Sequence, residues 1–286
     1  MSGDGLLGVA LGGAGSARQR YGVAMGLYLA GQLGPAQLEA YRVAAGNDAA
    51  SPAALLAERT LPVPDTAPAT PADSLRRLLD EADRYIASLP GPGIAEVRHG
   101  LALTRGQTAR VAPPGRNGVV AAHLPPALAA LNLTHPALAA AILATVPHLD
   151  WITYDAYPPE QIGPLFGTSH AFASLVGEAG TFAANDFDMG LFLIAPHVLY
   201  RDHCHPAPEL YAPLTGPHGW RFSPGAPLHL KPAHQPVWNL PMQPHLTKVG
   251  PTPFLALFCW TRNTALPAEV LPAQDWPDLE ALRLDA

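Results

Sequence analysis

The feature of this sequence that most constrains its fold is residues 200–211, YRDHCHPAPELY. Alternate residues of a β-strand share a face, so an extended chain would point His203, His205, Glu209 and Tyr211 to the same side. Two imidazoles and a carboxylate on one rigid face are a typical ligand set for a divalent transition metal. A polar strand facing water is the alternative, but it would not require these residues and the tyrosine to share parity. The stretch therefore predicts a metal-bearing strand.

The spacing of these residues resembles a known motif. His203, His205, Glu209 and Gly216 follow the pattern H-x-H-x(3,4)-E-x(6)-G, which is the first motif of the cupin superfamily. The resemblance implies a double-stranded β-helix, a jelly-roll-like barrel that would carry the metal.

The two halves of the chain differ in residue composition and in the periodicity of their apolar residues. The first half is rich in Ala and Leu, and residues 74–89 place apolar side chains at helical spacing. From Trp151 onward, aromatic and β-branched residues alternate with turn residues, which is typical of short strands in a sandwich or barrel. The sequence predicts an α+β protein with a helical N-terminal region over residues 1–150 and a cupin β-barrel, the metal-binding domain, over residues 151–286.

Composition excludes several classes of partner. The formal charge is -6 and no basic stretch could neutralise phosphates, which argues against nucleic acid. The most apolar window, residues 131–146, is shorter than the roughly 20 residues of a bilayer span, so no membrane segment is expected. The chain has two cysteines, Cys204 and Cys259, and no positively charged secretory start, so we expect a cytoplasmic protein without disulfides. A homodimer is compatible with the sequence.

A further metal ligand is expected from later in the barrel, because metal sites draw ligands from different elements. His245 precedes a short turn and the apolar run 253–258, as in the second cupin motif. His234 lies in a Pro-rich segment and remains the alternative. His218 and His229 are expected at turn and strand-surface positions.

The resemblance narrows to the dimethylsulfoniopropionate lyase family of cupins, and it covers roughly residues 150–262. The residues that carry it are the run 190–193, Tyr200, His203, His205, Pro206, Ala207, Glu209, Leu210, Tyr211, Leu214, Gly216, Trp220 and the run 253–260. The resemblance implies one divalent metal held by His203, His205, Glu209 and His245, with Tyr211 as catalytic base and Tyr200 beside it. Zn, Fe, Ni, Co and Mn all suit imidazole and carboxylate ligands, so the identity of the metal stays open.

The activity implied is that of a carbon–sulfur lyase. It would cleave dimethylsulfoniopropionate, a small sulfonium carboxylate, into dimethyl sulfide and acrylate by base-catalysed β-elimination. Metal-bound carboxylate oxygen can accept the charge left when a proton is removed beside it, and a phenol near a dication is more easily ionised. The alternative for Tyr211 is a barrel-lining aromatic that donates a hydrogen bond.

Aromatic faces can hold a sulfonium cation. The rings available for this are Trp151, Tyr154, Tyr157, Trp220 and Trp238. Two other functions fit a cupin barrel: a different metal-dependent enzyme such as a dioxygenase or isomerase, and a non-catalytic protein that binds a metal or small molecule. The tyrosine pair favours the lyase, because neither alternative needs a phenolic base.

Overall fold

The computed structural model describes residues 11–29, 31–64, 70–154 and 158–285, and it divides into two compact units, Met1–Thr70 and Pro71–Ala286. The first unit contains α1 (Ser16–Leu29), α2 (Pro35–Ala44) and α3 (Pro52–Glu58). Its core consists of Ala24, Leu33, Ala40, Tyr41 and Leu56. Asp48 accepts hydrogen bonds from the amides of Gly15 and Ala17, which satisfies donors at the start of α1.

The second unit begins with helices and continues as strands. Its helices are α4 (Pro71–Ser88), α5 (Ile94–Ala102), α6 (Gly118–Asn132), α7 (Pro136–Thr145), α8 (Pro159–Ile162) and, near the C-terminus, α9 (Trp276–Ala281). Its strands are β1 (His170–Gly177), β2 (Phe182–Ala183), β3 (Asp188–Ile194), β4 (Leu199–Cys204), β5 (Glu209–Pro213), β6 (His218–Arg221), β7 (His229–Lys231), β8 (Val237–Asn239), β9 (His245–Lys248), β10 (Phe254–Trp260) and β11 (Glu269–Val270). None of the described helices is long and apolar enough to cross a bilayer.

The strands form two sheets of a barrel. One has the order β2-β1-β3-β10-β5-β8 and the other β11-β4-β9-β6-β7. All pairs are antiparallel except β1 with β2. This confirms the predicted α+β class, with helices preceding a β-barrel.

Both faces of the six-stranded sheet are buried, and residue parity separates them. On β3 and β10, Leu191 and Leu257 belong to a core shared with α4, α6 and α7, whereas Phe192 and Phe258 belong to the barrel interior. A sheet covered on one face by helices must be apolar on that face as well as inside. The helices of residues 71–145 therefore belong to the same compact unit as the barrel.

The predicted division near residue 150 coincides with the change from helices to strands, whereas the contacts divide the chain between Thr70 and Pro71. The difference arises because α4 to α7 have no separate core: their apolar faces close on the sheet. As a domain boundary, residue 150 stays a prediction.

The prediction that residues 200–211 form one strand was wrong. They form β4 in one sheet and β5 in the other, joined by a turn over residues 205–208. Pro206 and Pro208 lie in this turn, and proline cannot donate a ladder hydrogen bond. The chain thus crosses from one sheet to the other between the two histidines and the glutamate.

The C-terminal segment fixes the outer side of β4. Asp202 accepts hydrogen bonds from the buried Arg221 guanidinium and from Trp276 Nε1, and Arg221 also pairs with Asp275. Asp202 thus contacts β6 and the C-terminal segment, whereas the next residue, His203, lies in the histidine cluster. This buried pair therefore holds the strand on which His203 points inward.

His218 is a buried residue at the start of β6, which corrects its expected turn or surface position, whereas His229 is exposed on β7 as expected. Gly250 N–H donates to His218 Nδ1 at 3.2 Å, and Nε2 lies 3.4 Å from the Thr215 hydroxyl. Burial lowers the pKa of His218 to about 3. The folded state therefore requires a neutral imidazole.

We predict that His218 makes the protein acid-sensitive between pH 6.5 and 3. Over this range the unfolded state binds a proton that the folded state excludes, so stability falls as pH falls, by at most about 1.4 kcal/mol per pH unit. The free energy of unfolding of His218→Asn, whose amide oxygen can replace Nδ1 as acceptor, should be measured against pH beside that of the unchanged protein. The difference between the two should shrink on acidification. A difference that is independent of pH would contradict this role.

Candidate metal centre and cavity

Three buried histidines meet inside the barrel. His203 on β4 lies opposite His245 on β9, and His205 follows in the turn after β4. One ligand nitrogen from each lies within 4.8 Å of the others. The ring centroids of His245 are 4.0 Å from His203 and 5.1 Å from His205. The structure thus brings together all three histidines that the sequence resemblance selected.

The outer nitrogen of each ring is already bonded to the backbone. The Nδ1 atoms of His203, His205 and His245 lie 2.8, 2.8 and 3.0 Å from the carbonyl oxygens of Arg201, Ala207 and Gln243. A carbonyl can only accept, so each Nδ1 carries a proton, and in the neutral form of each ring Nε2 presents its lone pair. Metal-binding histidines are oriented by hydrogen bonds of this kind.

Glu209 enters the same cluster from the opposite sheet. Its Oε2 lies 3.2 Å from His205 Nε2 and 3.3 Å from His245 Nε2. Neighbouring strands fix the carboxylate: Trp260 Nε1 donates to Oε1 at 2.8 Å, and Asn239 Nδ2 donates to Oε2 at 3.2 Å. Both partners lie directly opposite Glu209 in the sheet, on β10 and β8.

These donors fit a bound cation. A neutral imidazole that uses its proton at Nδ1 has none at Nε2 to offer Glu209, and His245 Nε2 is buried with no hydrogen-bond partner among the described residues. Lone pairs and carboxylate oxygens therefore face one another, which is costly in a buried site unless a positive charge lies between them. Three imidazole nitrogens and one carboxylate are a donor set that suits a divalent transition metal.

The protonation tendencies of the cluster reflect the same crowding. Burial lowers the pKa of His203 well below its usual value, and the other two histidines lower it further. Burial opposes protonation of His205, but the Glu209 carboxylate raises its pKa overall. Burial would raise the pKa of Glu209, yet His205 and His245 hold it well below the usual range. The carboxylate is thus ionised and attracts positive charge.

Two tyrosines border the cluster, one from each sheet. Tyr211 follows Glu209 on β5 and is buried, and burial raises the pKa of its phenol well above 10, with Glu209 and Tyr200 adding to the effect. A β-bulge between Tyr200 and His203 changes the strand parity. The Tyr200 ring consequently stacks on His203 at 4.1 Å and on Phe166 at 4.2 Å.

A cavity of about 390 Å³ lies beside the tyrosines and Glu209. Its remaining wall is largely aromatic. It is lined by Tyr154, Phe166, His170, Phe172, Asp188, Phe192, Phe258, Trp260 and the segment 264–268. The volume suits a small molecule, and the wall suits one with an apolar or cationic end.

Of the rings expected to hold a sulfonium, Tyr154 lines the cavity, whereas Tyr157 lies outside the described residues. Trp220 packs in the barrel core, with its ring 5.5 Å from Tyr211. Trp151 and Trp238 pack against the core beneath the helices. The sequence interpretation missed the phenylalanines and Trp260, although the alternation along β3 and β10 could have identified Phe192, Phe258 and Trp260 as a common face.

His234 is not part of the cluster. Its Nδ1 lies 3.0 Å from the Tyr85 hydroxyl and its Nε2 3.0 Å from the Thr134 hydroxyl, while its ring contacts His135 at 4.4 Å. Tyr85 belongs to α4, and Thr134 and His135 to the connection between α6 and α7. His234 therefore links a barrel loop to the helices through side-chain hydrogen bonds.

Comparison with known proteins places residues 96–256 within the family model for dimethylsulfoniopropionate (DMSP) lyase. The curated DMSP lyase DddQ of Ruegeria pomeroyi is 28% identical over 124 residues, which span 43% of this chain and 59% of that protein. The chain thus matches less than two thirds of that relative's length.

Two solved structures share the fold. One of the DMSP lyase structures reported for RdDddP and RnDddQII matches with a TM-score of 0.54 and 21% identity, covering 71% of this chain and all of that one. DddQ of Ruegeria pomeroyi matches with a TM-score of 0.51 and 21% identity over 70% of this chain and 98% of its own. At this identity the likeness concerns the fold alone.

The geometry predicts that His245, and not His234, is needed for metal binding. His245→Ala removes one of three convergent nitrogens, so it should lose most of the bound metal. His234→Ala is the matched control and should retain it. Elemental analysis of protein purified without chelator, repeated after reloading with a divalent metal, checks the prediction. Loss of metal from His234→Ala with retention in His245→Ala would reverse the assignment.

Proposed function

Because this chain belongs to the DMSP lyase family, we propose that it cleaves DMSP into dimethyl sulfide and acrylate. The observation that carries the proposal is the convergence of two tyrosines on a buried cluster of three histidines and a glutamate, at one end of a small aromatic cavity. A carbon–sulfur lyase of this kind needs a base and a site for a carboxylate, and in this proposal the tyrosines and the cluster supply them.

We also propose that His203, His205, His245 and Glu209 hold one divalent transition metal. The unpartnered His245 Nε2 and the close approach of Glu209 to two other acceptor nitrogens support it. Zn, Fe, Ni, Co and Mn are all compatible with these donors. When bound, the metal would supply Lewis-acid stabilisation of the negative charge that develops on the substrate carboxylate.

Tyr211 is the proposed base. Its oxygen takes a proton from the carbon next to the substrate carboxylate, the C–H electron pair forms the carbon–carbon double bond, and the carbon–sulfur bond breaks with its electrons on sulfur. Neutral dimethyl sulfide and acrylate result. Since burial raises the pKa of the Tyr211 phenol, its phenolate form depends on positive charge at the adjacent cluster.

Tyr200 is the second proposed catalytic residue. Its ring stacks on His203 and on Phe166, and these contacts fix the orientation of the ring beside the cluster. The two phenols are close enough for Tyr200 to raise the pKa of Tyr211. Tyr200 can therefore orient the base or share the proton that the base has taken.

The lyase proposal predicts that purified, metal-loaded protein releases dimethyl sulfide from DMSP. Headspace gas chromatography measures the product, and protein stripped with a chelator is the control. Metal-loaded protein with no release of dimethyl sulfide would refute the lyase activity. It would favour another metal-dependent cupin enzyme, such as a dioxygenase or isomerase, or a metal-binding protein without catalysis.

Tyr211→Phe should lower kcat by about 10²–10⁴-fold, because it removes a positioned base. Its metal content and fold should be unchanged, since the phenol oxygen is not among the proposed ligands. Tyr85→Phe, which removes another buried hydroxyl outside the cavity, is the matched control and should retain activity. Near-normal turnover by Tyr211→Phe would exclude it as base and would make Tyr200→Phe the next variant to measure.

A further inference from the structure

Asp188 lies in the same cross-strand row of residues as Glu209 of the candidate metal centre. Trp260 on β10 is directly opposite Glu209 on β5 and directly opposite Asp188 on β3. Residues directly opposite in antiparallel strands point to the same face, so the three side chains form a row across the cavity wall. All three line the cavity. With strands about 4.8 Å apart, the backbones of Glu209 and Asp188 are roughly 10 Å apart, on either side of the indole.

One oxygen of the Asp188 carboxyl lacks a hydrogen-bond partner among the described residues. This oxygen, Oδ1, is buried. Burial raises the pKa of the Asp188 carboxyl to about 6, while a hydrogen bond from Ser174 counters this. At neutral pH the group is therefore mostly ionised, and leaving one oxygen of such a carboxylate buried without a hydrogen-bond partner is unfavourable.

The cavity wall does not supply the missing positive charge. Among the described lining residues there is no Lys or Arg. His170 is the histidine there, and it is neutral: its Nδ1 donates to the Phe166 carbonyl at 2.6 Å, and its Nε2 accepts from the Tyr154 amide at 2.8 Å. Burial also lowers the pKa of His170. The described cavity lining therefore leaves the charge of Asp188 available to a cationic group of a ligand.

We propose that Asp188 is the counter-ion for the cationic end of the substrate, so that the cavity selects a carboxylate that carries an onium group at its far end. This rests on the proposed function, which places the substrate carboxylate at the Glu209 end. An onium sulfur or nitrogen without N–H cannot donate conventional hydrogen bonds, so its recognition depends on charge and on aromatic faces. Asp188 supplies the charge, and Trp260, Phe172 and Phe192, which also line the cavity, supply aromatic faces.

A pair of ligands with the same shape and different charge tests this inference without relying on turnover. The probes are named for their tails: the cationic probe is the zwitterion 3-(trimethylammonio)propanoate, and the neutral probe is 4,4-dimethylpentanoate, which carries the same carboxylate on an uncharged tail of the same shape. Calorimetric titration of the metal-loaded protein should show tighter binding of the cationic probe. Asp188→Asn keeps the shape of the side chain and removes its charge. It should therefore lower the affinity for the cationic probe by about 10- to 100-fold and change the affinity for the neutral probe little.

Asp186→Asn is the matched control, because it makes the same charge change at a nearby exposed position. It should preserve the preference for the cationic probe. Equal effects of Asp188→Asn on both probes, or none on either, would overturn the counter-ion role and make Asp188 a structural acid. If Asp188→Asn does not fold, titration of the unchanged protein with both probes tests the proposal. Equal affinity for the two probes contradicts it.

The same titrations separate failure of this inference from failure of the lyase proposal. Protein that releases dimethyl sulfide from DMSP but does not distinguish the probes would retain the lyase activity and exclude Asp188 as its counter-ion. Protein that binds neither probe and releases no dimethyl sulfide would overturn both.

Discussion

The site depends on one physical constraint, which is the burial of an ionised carboxylate among imidazoles that have no protons to give it. Glu209 lies against His205 and His245, while the Nδ1 protons of these rings are committed to backbone carbonyls. Such an arrangement is stable only with a cation at its centre, either a proton or a metal. Trp260 and Asn239 hold the carboxylate in this position, so the strands beside β5 are as important to the site as β5 itself.

The barrel produces this convergence by dividing one short stretch of sequence between two sheets. The turn over residues 205–208 places His203 in one sheet and Glu209 in the other, facing across the interior. The buried Arg221–Asp202 pair supports β4 from outside, and the helices of residues 71–145 cover the outer face of the sheet that carries Glu209. The cavity is lined by one tyrosine from each sheet, Tyr200 and Tyr211.

Much of the fold and part of the site could be predicted from sequence, because both depend on local patterns. The change from Ala- and Leu-rich helices to short aromatic strands located the barrel, and the spacing of His203, His205 and Glu209 identified residues that the structure brings together. Parity along a single strand was the wrong explanation for their convergence, since it could not represent the turn at Pro206 and Pro208 or the bulge after Tyr200. Asp188 was missed because it is related to Glu209 only through the pairing of three strands, with Trp260 between them. The register between strands cannot be deduced from the sequence of any single segment.

The most direct test is a crystal structure of the metal-loaded protein with anomalous diffraction recorded at the absorption edge of the metal. We expect a single peak among the three Nε2 atoms, with metal–nitrogen distances of about 2.0–2.2 Å and a Glu209 oxygen at similar range. Metal bound elsewhere, or a metal-free cluster in which a protonated His205 pairs with Glu209, would contradict this expectation.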